Sequence, residues 1–311
     1  MLVLDTGRLR LRWFRSGDAD TVLELLNDPD WLRNIGDRAV RTKEQALAFV
    51  AERLVEPCWR NGFGHWAVER RDTGACIGMC GFTHRDGLPD PDLGYALLPA
   101  HRRRGFAREA AAACLDYADR VLGERRVLAI MQPGNAASAA VLGTVGMRRL
   151  DPVRLPGSAG PSELWEWRAA HSAGDDMAQI DALAARFFAA FDQRRGVPAV
   201  ASLPALLLPG ASVTIVTAAG VATTDVRGFV APRAELLFGP RMRDFTEYES
   251  EQTTRIDGDL AQRWLRYRKQ GVLDGAAFTG SGRKALQLVR TPRGWRISSV
   301  AWRDDDAPDR R

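Results

Sequence analysis

Residues 92–113 read DLGYALLPAHRRRGFAREAAAA, and the change of character inside this stretch decides the fold. Up to Pro99 the residues suit a strand; three arginines and Gly105 follow, and an alanine-rich helix starts at once. A helix entered this way turns the unsatisfied N–H groups of its first turn outward, and the macrodipole adds positive potential there. Such a terminus is suited to phosphate. Gly105 lets backbone approach an anion with no Cβ in the way, and Ala107 keeps the next turn small. Arg102, Arg103 and Arg104 add fixed charge. Taken alone, R-x-x-G-x-A equally describes a basic turn ahead of a helix, so the surrounding sequence has to separate the two readings.

Upstream, Arg8–Arg15 alternates with period two and reads as a strand carrying Leu9, Leu11 and Trp13 on one face. A helix from Asp18 to Leu26 follows. A second opens at the capping box Thr42/Gln45 and continues to Pro57. Runs 65–70, 75–84 and 92–98 are strand-like and separated by turns. Downstream come a helix over 105–122, a strand over 126–132, a short helix over 136–145 and two closing strands. Strands and helices in this alternation predict an α/β layer architecture.

Set in that order, the central stretch resembles the GNAT superfamily of acyl-CoA N-acyltransferases, whose coenzyme A loop is Gln/Arg-x-x-Gly-x-Gly/Ala. LGYALLP (93–99) running into RRRGFAREA is similar to the branch that contains ribosomal-protein alanine N-acetyltransferases. Asn135-x-x-Ser138 followed by Val145-Gly146-Met147 matches the same branch, as do WLRNIGDRAVRT and CGFTHRDGLPDPDLGY. The resemblance covers residues 6–168. It implies a mixed sheet splayed open at its central strand, with the pantetheine arm of acetyl-CoA in the gap. Backbone N–H groups near Leu97 and Leu98 would bond that arm and polarise the thioester carbonyl. Amides of Arg103, Arg104, Gly105, Phe106 and Ala107 would hold the pyrophosphate, with Arg102 part of the same basic loop. Asn135 would bond the cofactor near its thiol, and Ser138 would protonate or solvate the thiolate; Asn135 also fits a helix N-cap with Ser138 as its partner.

The implied reaction is direct attack of a neutral amine on the thioester through a tetrahedral intermediate. An ammonium cannot attack, so a base must take its proton. Asp92, at the start of the central strand, is the first candidate and His84 the second. Glu109, one turn into the helix, reads as structural. Cys114 sits in an apolar helical run without a basic neighbour in sequence and reads as a buried small side chain, which argues against ping-pong chemistry.

A short polar stretch, 171–177, reads as a linker between a first domain, residues 1–170, and a second, residues 178–304, with a charged tail over 305–311. The second begins with an amphipathic helix carrying Ile180, Leu183, Ala184, Phe187, Phe188 and Phe191 on one face. After a Pro-rich connection come a strand near 212–218, a short helix near 232–237 and alternating runs at 245–256, 260–269, 284–291 and 295–303. The turns between them are DGD, GSG and PRG. A helix followed by a curved antiparallel sheet is α+β, and the pattern resembles the nuclear-transport-factor-2-like (cystatin-like, SnoaL-like) cone, which implies a pocket or dimerisation module. Glu247, Glu249 and Glu251 share one face of a strand, and Arg263, Arg266 and Arg268 of the next are expected to pair with them on a solvated surface. All four histidines (His65, His84, His101, His171) precede this domain.

Composition bounds the rest. The chain has 311 residues, 45% hydrophobic and 27% charged, which is globular composition. No apolar run approaches the ~18 residues of a membrane span, and the N-terminus does not read as a signal peptide, so a cytoplasmic protein is expected. The net charge of +5 arises from 24 basic against 22 acidic residues in 1–170 and 20 against 17 in 171–311, without like-charge blocks. That spread argues against a nucleic-acid partner. Cys58, Cys76, Cys80 and Cys114 are expected as free thiols. Cys76, Cys80 and His84 on one strand would span about 13 Å per four residues, too far to share a zinc, so no metal is expected. The readings left open are an acetyl-CoA-dependent N-acetyltransferase using an amine acceptor, a noncatalytic acyl-CoA sensor with the second domain as output, or a bifunctional chain whose second domain is an isomerase or cyclase.

Overall fold

The computed structural model describes residues 1–158, 160–169, 175–194, 196, 198–291 and 293–305. The chain divides into two compact units, residues 2–171 and residues from 172 onward. Most of the expected linker, 171–174, lies outside the described residues, as does the tail from 306.

The first unit is an eight-stranded sheet in the order β1-β2-β3-β4-β5-β6-β8-β7. β1 (Leu2–Asp5) and β2 (Leu9–Arg12) form its edge. Leu9 and Leu11 are fully buried, as the alternation requires. Arg12 is buried too, and is held by Asp18 (2.7 Å) and Glu69 (2.7 Å). α1 (Ala19–Leu26) and α2 (Pro29–Asn34) follow, the latter capped by Asp28 with proline in its first turn. α3 (Lys43–Phe49) opens at the Thr42/Gln45 capping box. It does not stop at Pro57: a π turn over Val50–Val55 leads into α4 (Glu56–Asn61), where Pro57 occupies the first turn and its missing N–H leaves nothing unbonded.

β3 (His65–Arg70), β4 (Cys76–Thr83) and β5 (Asp92–Leu97) are antiparallel neighbours. α5 (Phe106–Tyr117), extended by a π turn to Leu122, carries the chain across to β6 (Arg126–Met131). α6 (Ala136–Thr144) precedes β7 (Arg148–Val153), and β8 (Ser162–Arg168) inserts between β6 and β7. α1 and α3 cover one face of the sheet over Ala67, Met79 and Leu98. α5 covers the other, where Trp66 meets Phe82 and Tyr117 edge-on at 5.8 and 5.4 Å.

The second unit contains α7 (Asp176–Ala189), α8 (Leu203–Leu206), β9 (Leu207–Thr217), β10 (Gly220–Thr224), α9 (Val226–Phe238), β11 (Met242–Asp257), β12 (Leu260–Leu273), β13 (Ala276–Thr291) and β14 (Gly294–Asp304). α7 starts two residues before the sequence reading placed it, because Asp175 caps it through the Ala178 N–H. Its six strands run β10-β9-β14-β13-β12-β11, antiparallel except for β14 beside β9. The GSG expected as a turn lies inside β13, since the hairpin turns earlier, at Asp274-Gly275. Glycine is needed there because a Cβ at Gly282 would stand 2.4 Å from the Tyr267 hydroxyl.

The three glutamates do not share a solvated face. A bulge between Glu249 and Glu251 turns Glu251 outward toward Arg266 (3.6 Å). Glu249 turns inward onto the buried Arg263 (2.8 Å), and Glu247 onto the buried Lys284. The Lys284 ammonium also sits among the rings of Tyr267 (4.6 Å) and Phe188 (4.9 Å). Among the described residues no helix is long and apolar enough to cross a membrane.

Candidate active site

Gly105 is the N-cap of α5 at φ 78°, and Arg103, two residues earlier, is also left-handed at φ 60°. Left-handed residues of this kind aim successive loop amides to one side and form an anion-binding concavity. Among the described residues no side chain caps α5, so the N–H groups of its first turn have no partner of their own. Arg103 and Arg104 are exposed at this mouth. Arg102 is not part of it. Its guanidinium turns away to Asp28 (2.5 Å) and Asp30 (2.6 Å) and donates to the Leu97 carbonyl (2.8 Å), so its charge is already neutralised.

Glu109 is structural, as read: it accepts from Thr6 Oγ1 (2.6 Å), the Arg8 N–H (2.9 Å) and Arg8 Nε (2.7 Å), tying the β1–β2 turn to α5. Beside it an open cleft of about 440 Å³ runs along α5, bounded by Arg8, Gly105, Arg108, Ala112 and Val145.

β5 and β6 are parallel but pair at one position only, Asp92 with Leu128, and diverge from there. The Leu98 N–H donates to Ile77 O at 2.9 Å, so that amide belongs to the β4 ladder and is not available in the gap as expected. The same bond makes Leu97 and Gly78 a non-hydrogen-bonded pair, which turns the N–H groups of Leu97 and Tyr95 away from β4 and into the gap. Across the gap, Asn135 caps α6 by accepting from the Ser138 N–H at 3.1 Å. The Tyr95 hydroxyl reaches over to Ser138, 2.9 Å from its Oγ, and donates to its carbonyl at 3.1 Å. Burial pushes the Tyr95 phenol up to about 12, so it stays protonated and can donate.

At the closed end of the gap Asp92 is buried; its Oδ2 accepts from Arg85 Nη2 at 3.0 Å, and its Oδ1 has no partner. Burial pushes its carboxyl up, with Arg85 opposing. His65, Gly81 and Gly94 form one row across β3, β4 and β5 on the same face. The imidazole lies over Gly94, where a Cβ would stand 2.7 Å from His65 Nε2. His65 Nδ1 is 3.3 Å from Thr83 Oγ1. Burial of the ring, then the charges of Arg85 and Arg38, hold the imidazole down to about 4, so it is neutral near pH 7. His84 packs its ring against Phe63 at 4.8 Å. Cys114 is buried with its Sγ 3.5 Å from that of Cys80, and burial holds its thiol well above the ordinary range, which removes it as a nucleophile.

A family model for the acetyltransferase (GNAT) domain matches residues 8–148. The uncharacterized N-acetyltransferase YoaA of Bacillus subtilis is 30% identical over 152 residues, 47% of this chain and 83% of that protein. This chain belongs to the GNAT acetyltransferase family. The uncharacterized protein YkkB of the same organism is 32% identical over 160 residues, 49% of this chain and 88% of its own length. A solved acetyltransferase from Agrobacterium tumefaciens shares 27% identity, covering 54% of this chain and 95% of the other at a TM-score of 0.47.

As a GNAT acetyltransferase the protein is an acetyl-CoA-dependent N-acetyltransferase. The residues present suit that cofactor: an uncapped first turn with a left-handed glycine accepts a diphosphate, and unpaired strand amides accept an amide-bearing arm. Two polar groups of this GNAT site, Tyr95 and His65, were absent from the sequence reading. Tyr95 stands in the LGYALLP motif itself, so strand alternation could have flagged it. Nothing local to His65 marks it, because it enters the site only through pairing with Gly81 and, beyond it, Gly94.

Proposed function

We propose that the protein transfers the acetyl group of acetyl-CoA directly to a primary amine, with the gap between β5 and β6 as the place of transfer. The observation that carries this reading is the single-residue pairing of β5 and β6, with β5 leading through the basic loop into an uncapped helix. Bound there, the cofactor supplies an electrophilic thioester and a thiolate leaving group. Amides of Arg103, Arg104, Gly105, Phe106 and Ala107 hold its phosphates, and the cleft beside α5 receives its nucleotide end. The Leu97 N–H and the Asn135 amide donate to the arm.

Asp92 takes the ammonium proton, its raised carboxyl being a stronger base than an ordinary aspartate. Ser138, with the Tyr95 hydroxyl bonded to it, returns a proton to the sulfur. His84, packed on Phe63, is the lesser candidate for the base.

Release of free thiol from acetyl-CoA in the presence of an amine and peptide panel tests the reading. Tight binding of acetyl-CoA without turnover on any amine favours the noncatalytic sensor instead. Within this scheme Tyr95→Phe lowers kcat by about 10²-fold, the size of a lost general acid, while acetyl-CoA affinity measured by calorimetry stays within about twofold of the parent. An unchanged kcat removes Tyr95 from the proton path.

The second unit is read as a SnoaL-like cone serving as a pocket or dimerisation module. Its support is the order of elements: a long amphipathic helix, then a six-stranded sheet closing on Trp295–Arg303. Four free cysteines fit a cytoplasmic setting.

A further inference from the structure

β5 presents its residues alternately to the two faces of the sheet. Tyr95 points to the face that α5 covers, since its cross-strand partner Cys80 meets Cys114 of α5 at 3.5 Å between sulfurs. Asp92, Gly94 and Ala96 share the opposite face, where Ala96 packs against the core formed by α1 and α3.

On that face His65 of β3 is paired with Gly81 of β4, and Gly81 with Gly94 of β5. β4 lies between the other two strands, so His65 and Gly94 stand about 10 Å apart at the usual strand spacing. The imidazole still reaches β5, its Nε2 standing 2.7 Å from where a Cβ on Gly94 would be. Two glycines in succession clear that path. A side chain on Gly94 would collide with the ring, and a Cβ on Gly81 would stand 3.0 Å from His65 Cα.

The half-buried ring is anchored at one nitrogen. Its Nδ1 lies 3.3 Å from Oγ1 of Thr83, which is itself the cross-strand partner of Asp92. Among the described residues Nε2 has no hydrogen-bond partner. Neither has Asp92 Oδ1, two residues from Gly94 and about 7 Å along the same face. Two unpaired acceptors thus stand on the strand whose other edge is the open gap. An ammonium group carries N–H donors for both.

Transfer has work for each. A nitrogen that arrives as an ammonium loses two protons in becoming an amide nitrogen, one before attack and one from the tetrahedral intermediate. Asp92 accounts for the first. We propose that His65 is a catalytic group of the transfer, its Nε2 accepting an N–H of the attacking amine over Gly94 and taking that proton as the C–N bond forms. The C–S bond then breaks; one of the two protons ends on the sulfur and the other passes to water. Thr83 Oγ1 accepts from Nδ1 and so leaves the lone pair on Nε2. A ring that is neutral near pH 7 keeps that lone pair and does not repel an incoming ammonium. Ser138 and the Tyr95 hydroxyl, which serve the sulfur, approach from the opposite face of β5, so the bond that forms and the bond that breaks are attended from different sides.

The inference rests on the transfer reading above and is tested by steady-state thiol release on the full chain, with a panel of primary alkylamines, polyamines and unblocked peptides. His65→Phe keeps a flat ring without an acceptor and lowers kcat/KM for the amine by about 10²-fold, while acetyl-CoA affinity by calorimetry stays within about twofold of the parent. His65→Gln, whose Oε1 accepts in place of Nε2, recovers at least about tenfold of that loss. The glycine gives an independent arm. Gly94→Ala displaces the imidazole and lowers kcat/KM as His65→Ala does, and adding it to His65→Ala costs less than about twofold more. A parent-like rate in His65→Phe, a glutamine variant as slow as the phenylalanine one, or losses that multiply in the double variant overturns the proposal. Loss of acetyl-CoA binding in every His65 variant also overturns it, since the ring then serves the fold. No thiol release by the parent with any amine overturns the transfer reading and the inference with it.

Discussion

Gly105→Asp abolishes acetyl-CoA binding, raising Kd by at least about 10²-fold, equivalent to some 2.7 kcal/mol. Three effects act in one direction. Gly105 holds φ 78°, which an L-residue adopts at a cost of about 1–2 kcal/mol. The new Cβ would stand 3.4 Å from Arg8 Nη2, at the edge of comfortable contact. Most important, the carboxylate would occupy the mouth of the uncapped first turn, where it would accept the orphan N–H groups in place of phosphate and repel the phosphate that remained. Gly105→Ala separates these effects: it keeps the backbone cost without the charge and weakens binding about tenfold. Calorimetry on the full chain, with circular dichroism to show that the fold is kept, reads both variants. Unchanged affinity in the aspartate variant removes the loop from the cofactor site.

Arg12→Met destabilises the first unit by about 3–5 kcal/mol, the usual result of removing one partner from a buried ion cluster. Arg12 Nη1 and Nη2 bind both oxygens of Asp18 (2.7 and 2.8 Å), and Nε binds Glu69 (2.7 Å), all three residues being buried. Methionine fills the volume but leaves two buried carboxylates with only the exposed Arg15, 3.9 Å from each, as a counter-charge. They must then ionise in a poor environment or take up protons. Urea denaturation followed by the fluorescence of the buried Trp66 shows the loss, and the loss shrinks as the pH falls and the carboxyls are protonated. A variant as stable as the parent at neutral pH shows that the cluster contributes only arrangement. Replacing the three residues together with apolar ones costs much less than Arg12→Met alone, since no charge is then stranded.

What could be read along the chain was local. The strand, basic turn and helix of 92–113, the capping box at Thr42, the Asn135–Ser138 cap and the alternation of β2 are set by neighbours within about four residues in sequence. The structure places them where the pattern does, except that β2 ends at Arg12, which is buried, and leaves Trp13 beyond the strand. What could not be read depends on which strand lies beside which. Arg102 looked like part of the phosphate cradle because it adjoins Arg103, but Asp28 and Asp30, more than seventy residues away, claim its charge. The Leu98 amide looked free because it ends a strand, but β4 takes it. In the second unit one bulge moved Glu251 to the opposite face from Glu249, and a bulge leaves little trace in a pattern of alternating residues.

The sequence by itself determined that the first half is an α/β unit with a strand, a basic turn at Gly105 and a helix in succession, because backbone conformation there is dictated by a glycine and the start of a helix. Only the tertiary structure decided what surrounds the reacting end. His65 on β3, Asp92 and Tyr95 on β5 and Ser138 on α6 come from three separate segments. Their meeting is fixed by sheet register and by burial, which lowers the basicity of one group and raises that of another. Neither is a property of any stretch of chain taken alone.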